Sequence, residues 1–385
     1  MPELTPSQRT WKTFKRNKSA MAGLAFIIIT ALVAILGYLI MPDSTPDANN
    51  MAIQLSLKKP GSKFMFLNIR KPEPVDTVSI FTKIISGQTA FYHQIPITAY
   101  YFAKDSIYIN QYIGDEDKPE KKAYSIFEVA TRKKQTANQI SNLSALKKQI
   151  VSKQIISKTF WFGTDIYGRD MLSRLLLGTR VSLAVGLMSV LISMLLGVSV
   201  GAIAGYFGGW LDAALSWLMN ILWALPALLL VIAISFALGK GLWEIFVAVG
   251  LSMWVEVARL VRGQVIGLKQ VEYVEAARSM GFGDARIIIR HILPNIIGPI
   301  LVLAASNFAT AILLEAGLSF LGFGAQPPMP TWGSMIRENY AYIVMDAAYL
   351  AVLPGLAIMF LVYSFNLVTT GLRDAFDIKS QNTRI

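Results

Sequence analysis

The chain has 385 residues, 54% hydrophobic and only 16% charged, with a mean hydropathy of +0.48, well short of the roughly 25% charged residues of soluble domains. The absence of cysteine excludes disulfides, thiolate metal sites and cysteine nucleophiles, and two histidines, His93 and His291, argue against a histidine-rich metal centre. The net charge of +12 does not point to nucleic acid. Arg9, Lys12, Lys15, Arg16 and Lys18 sit just before an apolar run, and other basic residues gather between 259 and 290, as the positive-inside rule expects.

Residues 1–19 are predicted to be a cytoplasmic tail. Ala20 to Met41 is an uncharged apolar run, about 33 Å long as a helix and enough to span a bilayer core of roughly 30 Å. A cleaved signal peptide would have a shorter apolar region and a small-residue cleavage site. This run ends in Tyr38-Leu39-Ile40-Met41-Pro42, so it is predicted to stay as a transmembrane helix over 20–41.

Residues 42–158 change character: Lys, Asp, Asn and Ser become frequent. The alternation in Ala52–Leu57, Lys63–Ile69 and Ser106–Ile109 predicts strands, and Pro60-Gly61 and Gly114–Pro119 predict turns. Asn138–Lys158 reads as helical, from the spacing of Ile140, Leu143, Leu146, Ile150 and Ile155. This is a β-rich α+β insert, expected on the extracytoplasmic side. Its Lys and Arg content is no obstacle, because long domains translocate largely regardless of charge.

An interfacial segment over 159–180 contains Gly163-Thr164-Asp165-Ile166-Tyr167-Gly168-Arg169-Asp170. Asp170 is placed to cap a helix whose Arg174 and Arg180 would snorkel to headgroups. From 181 to 373 the chain is almost continuously apolar, with spans predicted near 181–205, 212–238, 242–261, 295–321 and 349–370. With the first helix this makes an all-α integral membrane protein of six transmembrane helices, with the insert between helices 1 and 2 and both termini, including the 374–385 tail, cytoplasmic. The basic 264–294 loop then falls inside, and the 322–348 loop, with Arg337 as its one basic residue, outside.

Gly197, Gly201 and Gly205 recur every four residues on one helical face, a spacing that lets two backbones approach closely. Packing inside one subunit and packing between subunits are both open. Pro226 should kink the third span. In the 264–294 loop, Val271–Met280 is a good helix former, Gly281 suits the positive φ that ends a helix, and Asp284 starts a second short helix. Small Ala276 and Ala277 would let a partner approach. Glu315 is the one strong intramembrane acid in this reading. A carboxylate at that depth costs roughly 2.5–3.5 kcal/mol, so it should hydrogen-bond between helices or line a cavity. Trp332, Tyr340 and Tyr342 suit an interfacial aromatic belt.

Three stretches carry a family resemblance. Glu275-Ala276-Ala277, three residues, Gly281, then Leu293-Pro294 is similar to the EAA loop of ABC importer permeases. The general pattern has isoleucine where His291 stands, and the variant Arg290-His291-Ile292-Leu293-Pro294-Asn295 resembles the dipeptide/oligopeptide/nickel branch. Gly163-Thr164-Asp165, Gly168-Arg169-Asp170 and the run Leu314–Gly324 followed by Thr331-Trp332-Gly333-Ser334 resemble signatures of the same branch, whose "C"-type permease this chain is similar to. The resemblance is close over about 160–375 and loose over 1–41; residues 42–158 depart from it.

The resemblance implies a permease subunit that pairs with a homologous permease, two ATP-binding ABC subunits and an extracytoplasmic solute-binding protein. Glu275, Ala276, Ala277, Gly281, Leu293 and Pro294 would form the loop that docks on the ATPase. Di- or oligopeptides lead as solute, with nickel or another small solute as the alternative. No phosphate-binding loop occurs, Gly239-Lys240-Gly241 lacking both the earlier glycine and the hydroxyl. The chain is therefore expected to be neither an enzyme nor a holder of cofactor or metal. A sensory receptor would need a larger cytoplasmic module than this loop. An ion-coupled secondary transporter would more often show inverted repeats, and neither rival accounts for the loop's spacing.

Overall fold

The computed structural model describes residues 6–115, 117–131, 143–239 and 241–377. Residues 1–5 and 378–385 of the predicted tails, and 132–142 with the start of the predicted 138–158 helix, lie outside the described residues. Helix α1 (Pro6–Arg16) leads into α2 (Lys18–Ile40) through Asn17, whose side chain caps α2 by accepting from the Ala20 N–H.

Between α2 and the rest of the bundle lies a five-stranded antiparallel sheet: β1 (Ser62–Arg70), β2 (Tyr92–Ala103), β3 (Ser106–Gln111), β4 (Glu120–Ser125) and β5 (Ile155–Phe160), in the order β4-β3-β2-β1-β5. Strand β1 pairs Leu67 with Ile95 on one side and with Ile155 on the other. One face buries Leu67, Ile95, Ile97, Ile107 and Ile109 against Val129 of α4 (Ile126–Thr131) and Leu146 of α5 (Leu143–Gln149). The opposite face packs Phe66 and Phe160 on Leu55. A short α3 (Ile80–Ser86) contacts α2.

Two local expectations fail here. Ile53–Leu55 is a 3-10 turn rather than a strand, because Leu55 is wholly buried on the aromatic face of the sheet and its carbonyl accepts from the distant Thr164 hydroxyl. Helix α5 unwinds through Ile150–Gln154, and Ile155 and Ile156 enter β5 instead. Their branched side chains suit a strand, and the β1 edge supplies the backbone partners that helical spacing does not reveal.

The remaining chain is helical. Helix α6 (Met171–Phe207) is 37 residues long, about 55 Å, so it exceeds the roughly 30 Å apolar core, and its first turns meet the segment after α2, where the Asp43 N–H donates to Ser173 and Ala48 packs with Leu177. It begins ten residues before the predicted span because Asp170 caps it, accepting from the Ser173 N–H at 2.9 Å. Helices α7 (Gly209–Ala224) and α8 (Ala227–Leu238) meet at a 99° bend. This is a break rather than the predicted kink: Pro226 has no N–H to continue the helix, and Leu225 before it is extended.

Helix α9 (Leu242–Leu268) leads to α10 (Glu272–Ser279) and α11 (Asp284–Ile287), then α12 (Ile297–Leu321), α13 (Trp332–Asn339) and α14 (Tyr349–Phe376). Among the described residues, four helical segments are long and apolar enough to cross a membrane, five if the bent pair is one span. Helix α9 is not among them; it carries Glu244, Glu256, Arg259 and Arg262.

Candidate functional site

The predicted loop folds as two short helices laid across the ends of α6 and α9. Helix α10 ends at Gly281, whose φ of +78° is the left-handed conformation that glycine adopts without steric cost. The Phe282 N–H then reaches back to the Ala277 carbonyl at 3.2 Å. Val274, Ala277, Ile287, Ile292 and Ile296 are buried against Ala202, Val257, Val261 and Val265. Around this apolar seam, Tyr206 donates to Asp284 at 2.7 Å, and Asn295 donates to the His291 carbonyl at 2.6 Å. Glu275, Ala276, Gly281 and Pro294 face outward, and Leu293 is half-buried. Ala277 is turned inward, so of the two small residues only Ala276 is exposed.

Small residues lock the seam to the bundle. A methyl group on Gly197 would meet the Trp254 carbonyl oxygen at 2.7 Å. One on Gly201 would meet Val261 Cβ at 2.9 Å, and one on Gly205 the Arg262 carbonyl oxygen at 2.7 Å. The stripe thus lies along α9 of the same chain. Arg262, near the loop, clamps Asp212 of α7 with two hydrogen bonds of 2.5 and 2.7 Å.

Glu315 of α12 is fully buried. Ser319 donates to Oε1 at 2.7 Å and Ser182 of α6 to Oε2 at 3.4 Å, so it bonds between helices within the subunit. Trp332 is not in an aromatic belt: it is 2% exposed and its indole N–H donates to the Leu175 carbonyl at 3.0 Å. The capping box formed by Thr331 and Ser334 starts α13 at that spot and directs the ring inward.

The 163–170 segment joins the sheet to the helices. Thr164 accepts from the Lys58 N–H at 2.8 Å and donates to the Leu55 carbonyl. Gly163 and Gly168 have φ of +75° and +70°, which turn the chain tightly enough for Asp165 to accept from the Arg169 N–H and side chain, at 3.0 and 2.6 Å. Arg169 and Arg174 both reach Glu338 of α13, at 3.0 and 3.3 Å. Arg174 therefore does not snorkel; it is almost wholly buried in this network. Arg180 is likewise engaged, donating to the Ile84 and Ile85 carbonyls at the end of α3, both at 2.9 Å. Burial pushes the Asp170 carboxyl up, and hydrogen bonds from Ser173 oppose that shift.

Two further acids, Glu338 and Glu256, stand outside the motifs legible in the sequence. Glu338 had no visible signal, since its partners lie more than 160 positions away. Glu256 had one: a lone carboxylate in the apolar stretch Met253–Ala258. Among the described residues no group of three or more His, Asp and Glu is placed to hold a metal.

The family model for the binding-protein-dependent transport system inner membrane component matches residues 197–380, and that for the N-terminal TM domain of oligopeptide transport permease C matches 5–60. The glutathione transport system permease protein GsiD of Pectobacterium atrosepticum is 46% identical over 207 residues, covering 54% of this chain and 68% of the relative. Its counterpart in Escherichia coli is 45% identical over the same shares. Among solved structures, the inward-facing MetNI methionine ABC transporter matches with a TM-score of 0.42 and 21% identity, over 52% of this chain and 97% of that one.

Proposed function

Given that the chain belongs to the binding-protein-dependent ABC importer permeases, in their oligopeptide/dipeptide C-type branch, we propose that it carries a peptide-like solute and couples transport to ATP through residues 271–294. It is a multi-pass inner-membrane permease subunit rather than an enzyme. The observation that carries the coupling proposal is the two-sidedness of the loop. Glu275 and Ala276 face outward, while Val274, Ala277 and Ile287 are anchored on α6 and α9. A push on the outer face is delivered to packed helices, and a rigid element of this kind can switch a bundle between two states. The partners are two ATP-binding subunits on the loop side, a homologous second permease alongside, and a solute-binding protein on the other side.

The six spans are α2, α6, the bent α7–α8 pair, α9, α12 and α14. Four charged residues keep α9 from reading as a lipid-facing span, which suits a helix enclosed by protein. With the loop cytoplasmic, residues 1–19 and 374–385 are cytoplasmic and 42–158 are extracytoplasmic. The relatives' glutathione systems support a small peptide as solute.

Gly281→Val strains the αL turn, and Glu275→Lys reverses a charge on the outward face. In membranes of cells expressing the full transporter, both variants should insert at normal levels and fail in uptake of labelled peptide. Normal uptake by both would refute the coupling role.

A further inference from the structure

Helix α9 holds a carboxylate that the loop and its anchoring do not use. Glu256 lies twelve residues before the end of α9 at Leu268, about 18 Å from it and near the middle of the helix. Its neighbours Val255, Val257 and Ala258 are buried; Glu256 is exposed and faces a cavity of about 530 Å³ between α9, α12 and α14. Ser306, Thr369 and Pro299 also line it, with Arg373 and Asp377 toward the loop end of α14. Unlike Glu315, which two serines satisfy, Glu256 has no hydrogen-bond or ion-pair partner among the described residues. A carboxylate at mid-bilayer is tolerated when it faces a water-filled path or a partner charge. Arg373 lies three residues from the end of its helix and shares that end of the lining with Asp377, so Glu256 is the one charged lining residue away from that end.

We propose that Glu256 lines the solute pathway and selects there for a cationic group, a primary ammonium such as the N-terminus of a peptide. The ligand assignment rests on the peptide-importer reading; the charge selectivity of the cavity does not.

The sequence contains no cysteine, so Ser306→Cys places a unique thiol of this chain in the cavity. The assembled transporter, in inside-out vesicles, is treated with a trimethylammonium or a sulfonate methanethiosulfonate, and rates are normalised to a free thiol. The cationic reagent should be favoured at least about tenfold, and adding Glu256→Gln should bring the ratio back near that of the free thiol. Thr369→Cys is a second reporter should the first fail to assemble. A ratio that Glu256→Gln leaves unchanged overturns the proposal. So does a thiol at either position that resists both reagents, without nucleotide and with trapped nucleotide, because the cavity is then sealed. Failure of the wild type to move any peptide, with the charge ratio intact, would refute the peptide reading and leave the pathway assignment standing.

Discussion

At the scale of single residues, the stripe of Gly197, Gly201 and Gly205 matters because of what stands opposite. Each faces backbone or a branched side chain of α9, which cannot swing away as the tip of a flexible chain would. Gly201→Val should therefore destabilise the chain by about 1–3 kcal/mol, the usual cost of overpacking. It should lower the melting temperature in detergent. Gly263, on α9 with open space around it, is the control: Gly263→Ala should hold or raise that temperature. The buried network makes a second prediction. Glu338→Gln leaves Arg169 and Arg174 short of a counter-charge, and breaking a buried pair typically costs about 3–5 kcal/mol. Glu338 retains 23% exposure, so the loss should fall at or below the lower end, read as a melting shift larger than that of Lys59→Ala at the exposed Lys59–Asp346 pair.

At the scale of elements, what could be read from sequence was local. The Ala20–Met41 run, the helix ending at Gly281 and the new start at Asp284 depend on neighbours in the chain, and the structure places α2, α10 and α11 there. What could not be read depends on distant partners. Leu55 forms a turn instead of a strand because Thr164 takes its carbonyl. Ile155 joins a strand because β1 has a free edge. Arg174 is buried because Asp165 and Glu338 meet it, and Trp332 is buried because Leu175 accepts its N–H. The cap of α6 does follow from adjacent residues, and Asp170→Ala should cost about 0.5–2 kcal/mol. Faster amide exchange confined to the first turn of α6 is the expected signature, and unchanged exchange there would contradict the capping role.

At the scale of the whole molecule, three connections run end to end. The segment leading into β1 is stapled to the 163–170 turn before α6 by Thr164, which accepts from the Lys58 N–H, and to α14 by Tyr349, whose hydroxyl donates to the Lys58 carbonyl at 2.8 Å. Helix α6 runs from that staple to the 271–294 loop, where Tyr206 holds Asp284. Helix α9 lies along α6 at the three glycines and returns to the same loop. Packed helices rather than flexible linkers therefore join the two ends. The coupling account requires a partner that supplies a displacement. The most direct test is purification of this chain from its native membrane in mild detergent, with mass spectrometry of the co-purifying proteins. The account predicts recovery of an ATPase with a phosphate-binding loop together with a second permease. Recovery of the chain alone, repeated after crosslinking in intact cells, would contradict it.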